Sequence, residues 1–238
     1  MTASKITEPA TAWPAHAAAP NTHNRVEELV RQYLPLLAGS RVCDLPCGAG
    51  AFSARLAQCG AQVTAVDLEA VEPFHFDPAQ RILADANLPL PFADGEFDAM
   101  ISIEGVEHLE NPSFFVRECA RIVKPGGWLF LSTPNVDGYE SRRSAYIHGF
   151  PKYFQPLSDT HKAAYHLHPI DLTFMRGAIR RAGLDLVELA VNRMSGKTLF
   201  SEWLRPVITR KLPESLRGTI PFYGEVLIYV LRKPAAHE

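Results

Sequence analysis

Two places in this sequence of 238 residues gather side chains that could do chemistry. The first is Glu104-Gly-Val-Glu107-His108, which follows the apolar run Phe97 to Ile103. In a helical turn Glu104, Glu107 and His108, at i, i+3 and i+4, would share one face. A neutral imidazole near its unperturbed pKa can take the proton of an acceptor hydroxyl, so His108 is a candidate general base. The structural alternative is that Glu104 or Glu107 caps the helix opening at Asn111-Pro112, with His108 packed beneath it.

The second place is the turn Asp44-Leu-Pro-Cys-Gly-Ala-Gly50. Gly48 and Gly50 remove side chains where a ligand must lie against the backbone, and the N–H groups opening a following helix point into the same space. Asp67 lies 17 positions after Gly50, at the distance where an acidic group can accept both hydroxyls of a ribose. The dinucleotide fingerprint is incomplete, because Ser53 stands where a third glycine is expected. Asp44 adds a carboxylate beside the ligand, which suits a cationic amino group better than a pyrophosphate.

Several elements must position these groups. Arg41 to Leu45 reads as a buried strand, and Ala51 to Cys59 as a helix with Phe52, Leu56 and Cys59 inward and Gly60 as its stop. Val63 to Val66 is the next strand, and a right-handed crossover makes the two parallel neighbours. Further strands are expected at Arg81 to Ala84, Phe97 to Ile103, Trp128 to Ser132, Leu184 to Val191 and Glu225 to Leu231. Helices are expected from an Asn24 cap to about Leu34, over Pro112 to Val123, and over Ile170 to Ala182 with Gly183 as stop. Pro125-Gly-Gly127 breaks the chain before the Trp128 strand.

The sequence resembles the class I S-adenosylmethionine-dependent methyltransferases. The carrying residues are Val42 to Gly50, Val66-Asp67, Asp85-Ala-Asn87, Phe97-Asp98 and Val123-Lys-Pro-Gly-Gly-Trp-Leu129, in that order. Pro46 departs from the family, which usually has its first glycine there. The resemblance implies an α/β fold: a Rossmann-like, doubly wound, seven-stranded mixed sheet, mostly parallel, with one antiparallel strand and helices on both faces. S-adenosylmethionine would be the cofactor. Asp44, Gly48 and Gly50 would hold its methionine end, Asp67 its ribose, Asp85 the adenine amino group and the Ala86 backbone the ring. Pro46, Leu68 and Ile103 would complete that site.

Glu-x-x-Glu-His with a later histidine also looks like the magnesium-site pattern of the 2′-O-methyltransferases of small RNAs and of ubiquinone-pathway O-methyltransferases. It implies Glu104, Glu107, His108 and His168 as candidate metal ligands. A metal would bind an acceptor oxygen and lower its pKa. Two carboxylates suit magnesium, while imidazole leaves zinc or manganese open.

The chain is long enough for one α/β domain, taken as residues 25 to 238 after a disordered tail at 1 to 24. A formal net charge of −2 argues against a general nucleic-acid binder. The four cysteines lack metal spacing, and with no membrane-spanning run or signal peptide the expected compartment is cytoplasmic. Residues 136 to 168 are irregular and rich in aromatics and histidines, a candidate acceptor lid. Residues 193 to 222 could form an amphipathic insertion packed on the domain or touching a membrane. The expected activity is transfer to a small-molecule, sugar or lipid-linked hydroxyl, with Glu104 and Glu107 beside His108. The rivals are an NAD(P)-dependent reductase or epimerase and a non-catalytic cofactor-binding regulator.

Overall fold

A computed structural model describes residues 18–154, 166–193 and 224–235. The chain alternates α1 (Thr22–Tyr33), β1 (Arg41–Asp44), α2 (Ala51–Gln58), β2 (Gln62–Asp67), β3 (Arg81–Leu83), β4 (Phe97–Ser102), α3 (Pro112–Ile122) and β5 (Val123–Pro134). It continues through α4 (Tyr139–His148), α5 (Leu172–Arg181), β6 (Asp185–Val191) and β7 (Val226–Arg232). These strands form one seven-stranded sheet in the order β3-β2-β1-β4-β5-β7-β6. All pairs are parallel except those of β7, which runs antiparallel to both β5 and β6.

Successive strand residues face opposite layers, and both layers are apolar. Cys43, Met100, Leu129 and Leu131 pack with Phe115 and Cys119 of α3 and Met175 and Ile179 of α5. Val42, Ala99, Ile101 and Phe130 pack with Val26, Leu29 and Val30 of α1 and Phe52 and Leu56 of α2. β1 has β2 on one side and β4 on the other. The strand order reverses there, which opens a crevice at the carboxyl ends of β1 and β4.

Four local expectations are corrected. α1 begins at Thr22, preceded by Asn21 in the left-handed region, so residues 18–24 are placed in the fold. Asn24 does not cap it; its Oδ1 accepts from the Arg55 guanidinium at 2.8 Å. β5 extends back through the Lys-Pro-Gly-Gly segment, which bulges because Phe97 pairs with Val123 and Ala99 with Trp128. The lid segment is not all irregular, since α4 lies within it. Residues 1–17 and the lid stretch 155–165 lie outside the described residues, as does the expected insertion apart from Arg193. No described helix is long and apolar enough to cross a membrane.

Candidate active site

The crevice holds two adjoining cavities that share Pro46 and Asp67. The smaller, about 260 Å³, is bounded by His23, Asp44, Gly48, Ile103 and Glu104. The larger, about 470 Å³, is bounded by Leu68, Asp85, Ala86, Asn87, His108 and Leu167. Among the described residues neither cavity has a lysine or arginine in its wall. Two adjoining cavities with carboxylates and no fixed cation fit a ligand that brings its own positive charge, and they would repel a pyrophosphate. An S-adenosylmethionine molecule, with its ammonium and sulfonium groups, meets that condition.

Asp67 closes β2 with both oxygens engaged. The Gly48 N–H donates to Oδ2 at 2.7 Å and the Leu68 N–H to Oδ1 at 2.8 Å. The carboxylate therefore fixes the glycine turn as well as lining both cavities. Asp44 is buried, and its Oδ2 accepts from the Ser53 hydroxyl at 2.6 Å. Ser53 thus has a use where the dinucleotide pattern has glycine. Burial pushes the Asp44 carboxyl up to about 7, with the Asp67 charge adding and the Ser53 hydroxyl opposing.

That shift has a testable sign. A carboxyl that keeps its proton in the folded state to pH about 7, against about 3.8 unfolded, loses folded-state stability as pH rises between those values. Glu104 and Glu107 slope the same way, so the comparison must isolate Asp44. Asp44→Asn is expected to flatten the unfolding free energy between pH 5 and 7 by up to about 1.4 kcal/mol per pH unit, read by urea titration. Equal slopes in the two proteins would remove the assignment.

Gly50 has a structural use in the turn. It lines neither cavity; its φ is 77°, and an added Cβ would lie 2.7 Å from the Phe74 ring. The glycine is needed for the turn and for the loop folded over it. Gly105 is a position that sequence reasoning passed over. A Cβ there would sit 2.3 Å from Pro46 Cδ, so the proline in the glycine turn requires a glycine opposite. Gly105→Ala is expected to cost about 1–3 kcal/mol in urea unfolding, with partial recovery in the Pro46→Ala, Gly105→Ala double variant. Strictly additive effects would rule out the contact.

Asp85 accepts from both the backbone and side-chain nitrogens of Asn87, at 2.8 and 3.0 Å. It closes an Asx turn and lines the larger cavity at once.

The Glu104 to His108 segment is not one helical face. Only Val106–His108 form a short 3-10 turn, and Glu104 stands before it in the left-handed region at φ 48°. Glu104 Oε1 accepts from the Ala19 N–H at 2.8 Å and the Thr22 hydroxyl at 3.2 Å. Neither glutamate caps α3, because Asn111 Oδ1 accepts from the Phe114 N–H at 3.0 Å. Glu107 is fully buried, and among the described residues neither of its carboxyl oxygens has a hydrogen-bond partner. Burial raises its pKa to about 8; the Glu104 charge adds, and the Thr133 hydroxyl opposes from outside hydrogen-bonding geometry.

Glu107, His108 and His166 each offer a ligand atom within 4.8 Å of the others. The two imidazoles meet edge to face at 4.7 Å. His166 Nδ1 lies 3.1 Å from the Tyr153 carbonyl. A carbonyl only accepts, so Nδ1 carries the hydrogen and Nε2 keeps its lone pair. Burial and the neighbouring His108 hold the His166 pKa below its ordinary value. Of the four ligand candidates from the sequence, Glu104 and His168 fall outside this group, and His166 enters it. His168 contributes backbone instead: the N–H groups of Leu167 and His168 donate to the Glu107 carbonyl at 2.8 and 3.1 Å.

The segment that follows β5 is anchored as well. Lys152 bonds Glu140 and Glu225, and Arg193 joins Glu225 at 2.6 Å. Asp137 Oδ2 accepts from the Leu172 N–H at 2.8 Å, and Arg142 is spent on the Asp137 carbonyl at 2.7 Å.

Comparisons with known proteins agree with this frame. Residues 19–189 match the family model described as a methyltransferase domain. A ubiquinone biosynthesis O-methyltransferase of Xanthomonas oryzae pv. oryzae is 42% identical over 108 residues, covering 42% of this chain and 45% of that protein. One of Thiobacillus denitrificans is 34% identical over 163 residues, covering 64% of this chain and 68% of that protein. The chain thus spans about half the length of the first of these relatives. A methyltransferase structure from Archaeoglobus fulgidus shares the fold with TM-score 0.56 and 21% identity, covering 89% of this chain and 95% of that one. The family match covers the glycine turn, Asp67 and the β4 terminus together, and this chain belongs to the class I S-adenosylmethionine-dependent methyltransferase family.

Proposed function

We propose that this protein methylates a hydroxyl oxygen of a small-molecule, sugar or lipid-linked acceptor. The cofactor, when bound, supplies an electrophilic methyl group. Asp44, Gly48 and the backbone of the turn would hold its methionine end, Asp67 its ribose hydroxyls, and Asp85 and Ala86 its adenine. The protein's share of the rate then lies in positioning, exclusion of water and removal of one proton. The observation that carries the choice of oxygen is the cluster of Glu107, His108 and His166 at the carboxyl end of β4. A proton-accepting group helps a hydroxyl more than an amine or a thiol, because the hydroxyl is the weakest acid that must be activated. The O-methyltransferase names of the relatives support the same atom.

Two roles fit the cluster. In the first, a ring nitrogen of His108 takes the hydroxyl proton while Glu107 steadies the resulting imidazolium. In the second, the three side chains hold a divalent ion that acidifies the acceptor. The unpartnered oxygens of buried Glu107 favour the second, since an ion would replace the missing partners. Two imidazoles with one carboxylate suit zinc or manganese better than magnesium.

Calorimetric titration of metal-stripped protein with S-adenosylhomocysteine, repeated with magnesium, manganese or zinc, tests the reading. Saturable binding of S-adenosylhomocysteine supports the cofactor, and separate heat from manganese or zinc, lost in His166→Ala, supports the metal. Heat from NAD and none from S-adenosylhomocysteine would overturn the proposal in favour of a reductase.

A further inference from the structure

Glu104 is neither a member of the histidine cluster nor a helix cap, yet it holds a backbone conformation that a side chain rarely adopts. Strain of this kind persists only where the surroundings over-determine it. Here the surroundings are the stretch entering α1. Glu104 Oε1 takes the Ala19 N–H and the Thr22 hydroxyl from one side. Asn192, just past β6, holds the same stretch from the other. Its Nδ2 donates to the Pro20 carbonyl at 3.1 Å and to Thr22 Oγ1 at 3.4 Å, and its carbonyl accepts from Asn21 Nδ2 at 2.7 Å. Asn192 is itself fixed to the sheet, because its Oδ1 accepts from the Val226 N–H at 3.1 Å. Both Thr22 and Asn192 are buried.

The clasped residues lead directly into a wall of the smaller cavity. His23 follows Thr22, packs on the Phe52 ring at a centroid distance of 5.2 Å, and faces the cavity with Asp44 and Glu104. Residues 18–22 are the stretch that leads into His23, so the bonds that hold them bear directly on that wall.

We propose that Glu104 and Asn192 are positioning residues that clasp residues 18–22 beside the smaller cavity and so set the rate at which the amino-acid end of the cofactor leaves. This rests on the cofactor reading above. It assigns Glu104 a hydrogen-bond-accepting role, distinct from charge, catalysis or metal binding.

The test is the dissociation rate of S-adenosylhomocysteine, measured by stopped-flow displacement, with amide exchange at Ala19 followed by mass spectrometry. Glu104→Ala and Asn192→Ala are each expected to speed release about tenfold, as loss of one or two net hydrogen bonds would, and to expose the Ala19 amide. Glu104→Gln keeps an accepting oxygen and is expected to stay within about twofold of wild type. Thr22→Val, which removes only a hydroxyl, gives a smaller rise and serves if an alanine variant fails to fold. Release at the wild-type rate from variants with a loosened Ala19 amide would overturn the clasp, as would Glu104→Gln behaving like Glu104→Ala. Wild-type protein that does not bind S-adenosylhomocysteine at all would instead bring down the cofactor reading, and the clasp with it.

Discussion

Asp67→Ala is expected to weaken S-adenosylhomocysteine binding by about 100-fold, the loss of two hydrogen bonds to a charged group at roughly 1.5 kcal/mol each. The same substitution also deprives the Gly48 N–H of its partner, so the glycine turn loses an anchor in addition to the proposed ribose contact. Asp67→Asn should lose less, because one side-chain oxygen can still accept. Calorimetry on both variants, with urea midpoints to verify folding, separates these contributions. Affinity of Asp67→Ala within threefold of wild type would end the ribose assignment.

The second large effect concerns the histidines. His108→Ala should lower kcat by about 10²–10⁴-fold, the usual range for removal of a general base, with the loss in kcat rather than in the cofactor's KM. The assay is S-adenosylhomocysteine release with a panel of phenols and polyols. His166→Ala distinguishes the two roles of the cluster. A bound ion makes His166→Ala and Glu107→Gln as damaging as His108→Ala and makes wild-type protein sensitive to chelator. A metal-free base leaves wild-type turnover unchanged by chelator and His166→Ala only mildly impaired. Near-normal turnover in His108→Ala would remove the residue from the chemistry.

The crossover frame was readable because its signals are local. Apolar runs at 41–45 and 63–66, the glycine stop at Gly60 and a carboxylate at the strand end are each set by a few neighbouring residues, and they place Asp44, Gly48 and Asp67 in one crevice. Strand β7 was also legible through its continuous apolar run, while its antiparallel direction came from the family resemblance. What escaped was non-local or conformational. Glu104 reads as a member of a helical face until its backbone turns left-handed and sends the carboxylate to Ala19, 85 residues away in sequence. The choice of His166 over His168 depends on how the backbone of Leu167 and His168 seats on the Glu107 carbonyl, which spacing alone leaves open. The need for glycine at 105 arises only when Pro46 comes to lie against it. The α4 helix inside the lid carries little apolar periodicity, and Tyr146 on it is 92% exposed, so pattern reading had no face to detect.

At the end of the candidate lid, Leu167 and His168 meet the site through main-chain groups, donating to the carbonyl of Glu107. A junction made of peptide groups is blind to side-chain identity at either position. The Leu167 side chain, half-exposed at the wall of the larger cavity, can therefore drift without loosening that attachment, as can the exposed residues of α4. Substitution at these positions leaves the main-chain attachment beside Glu107 in place, which separates change at the cavity wall from maintenance of the fold.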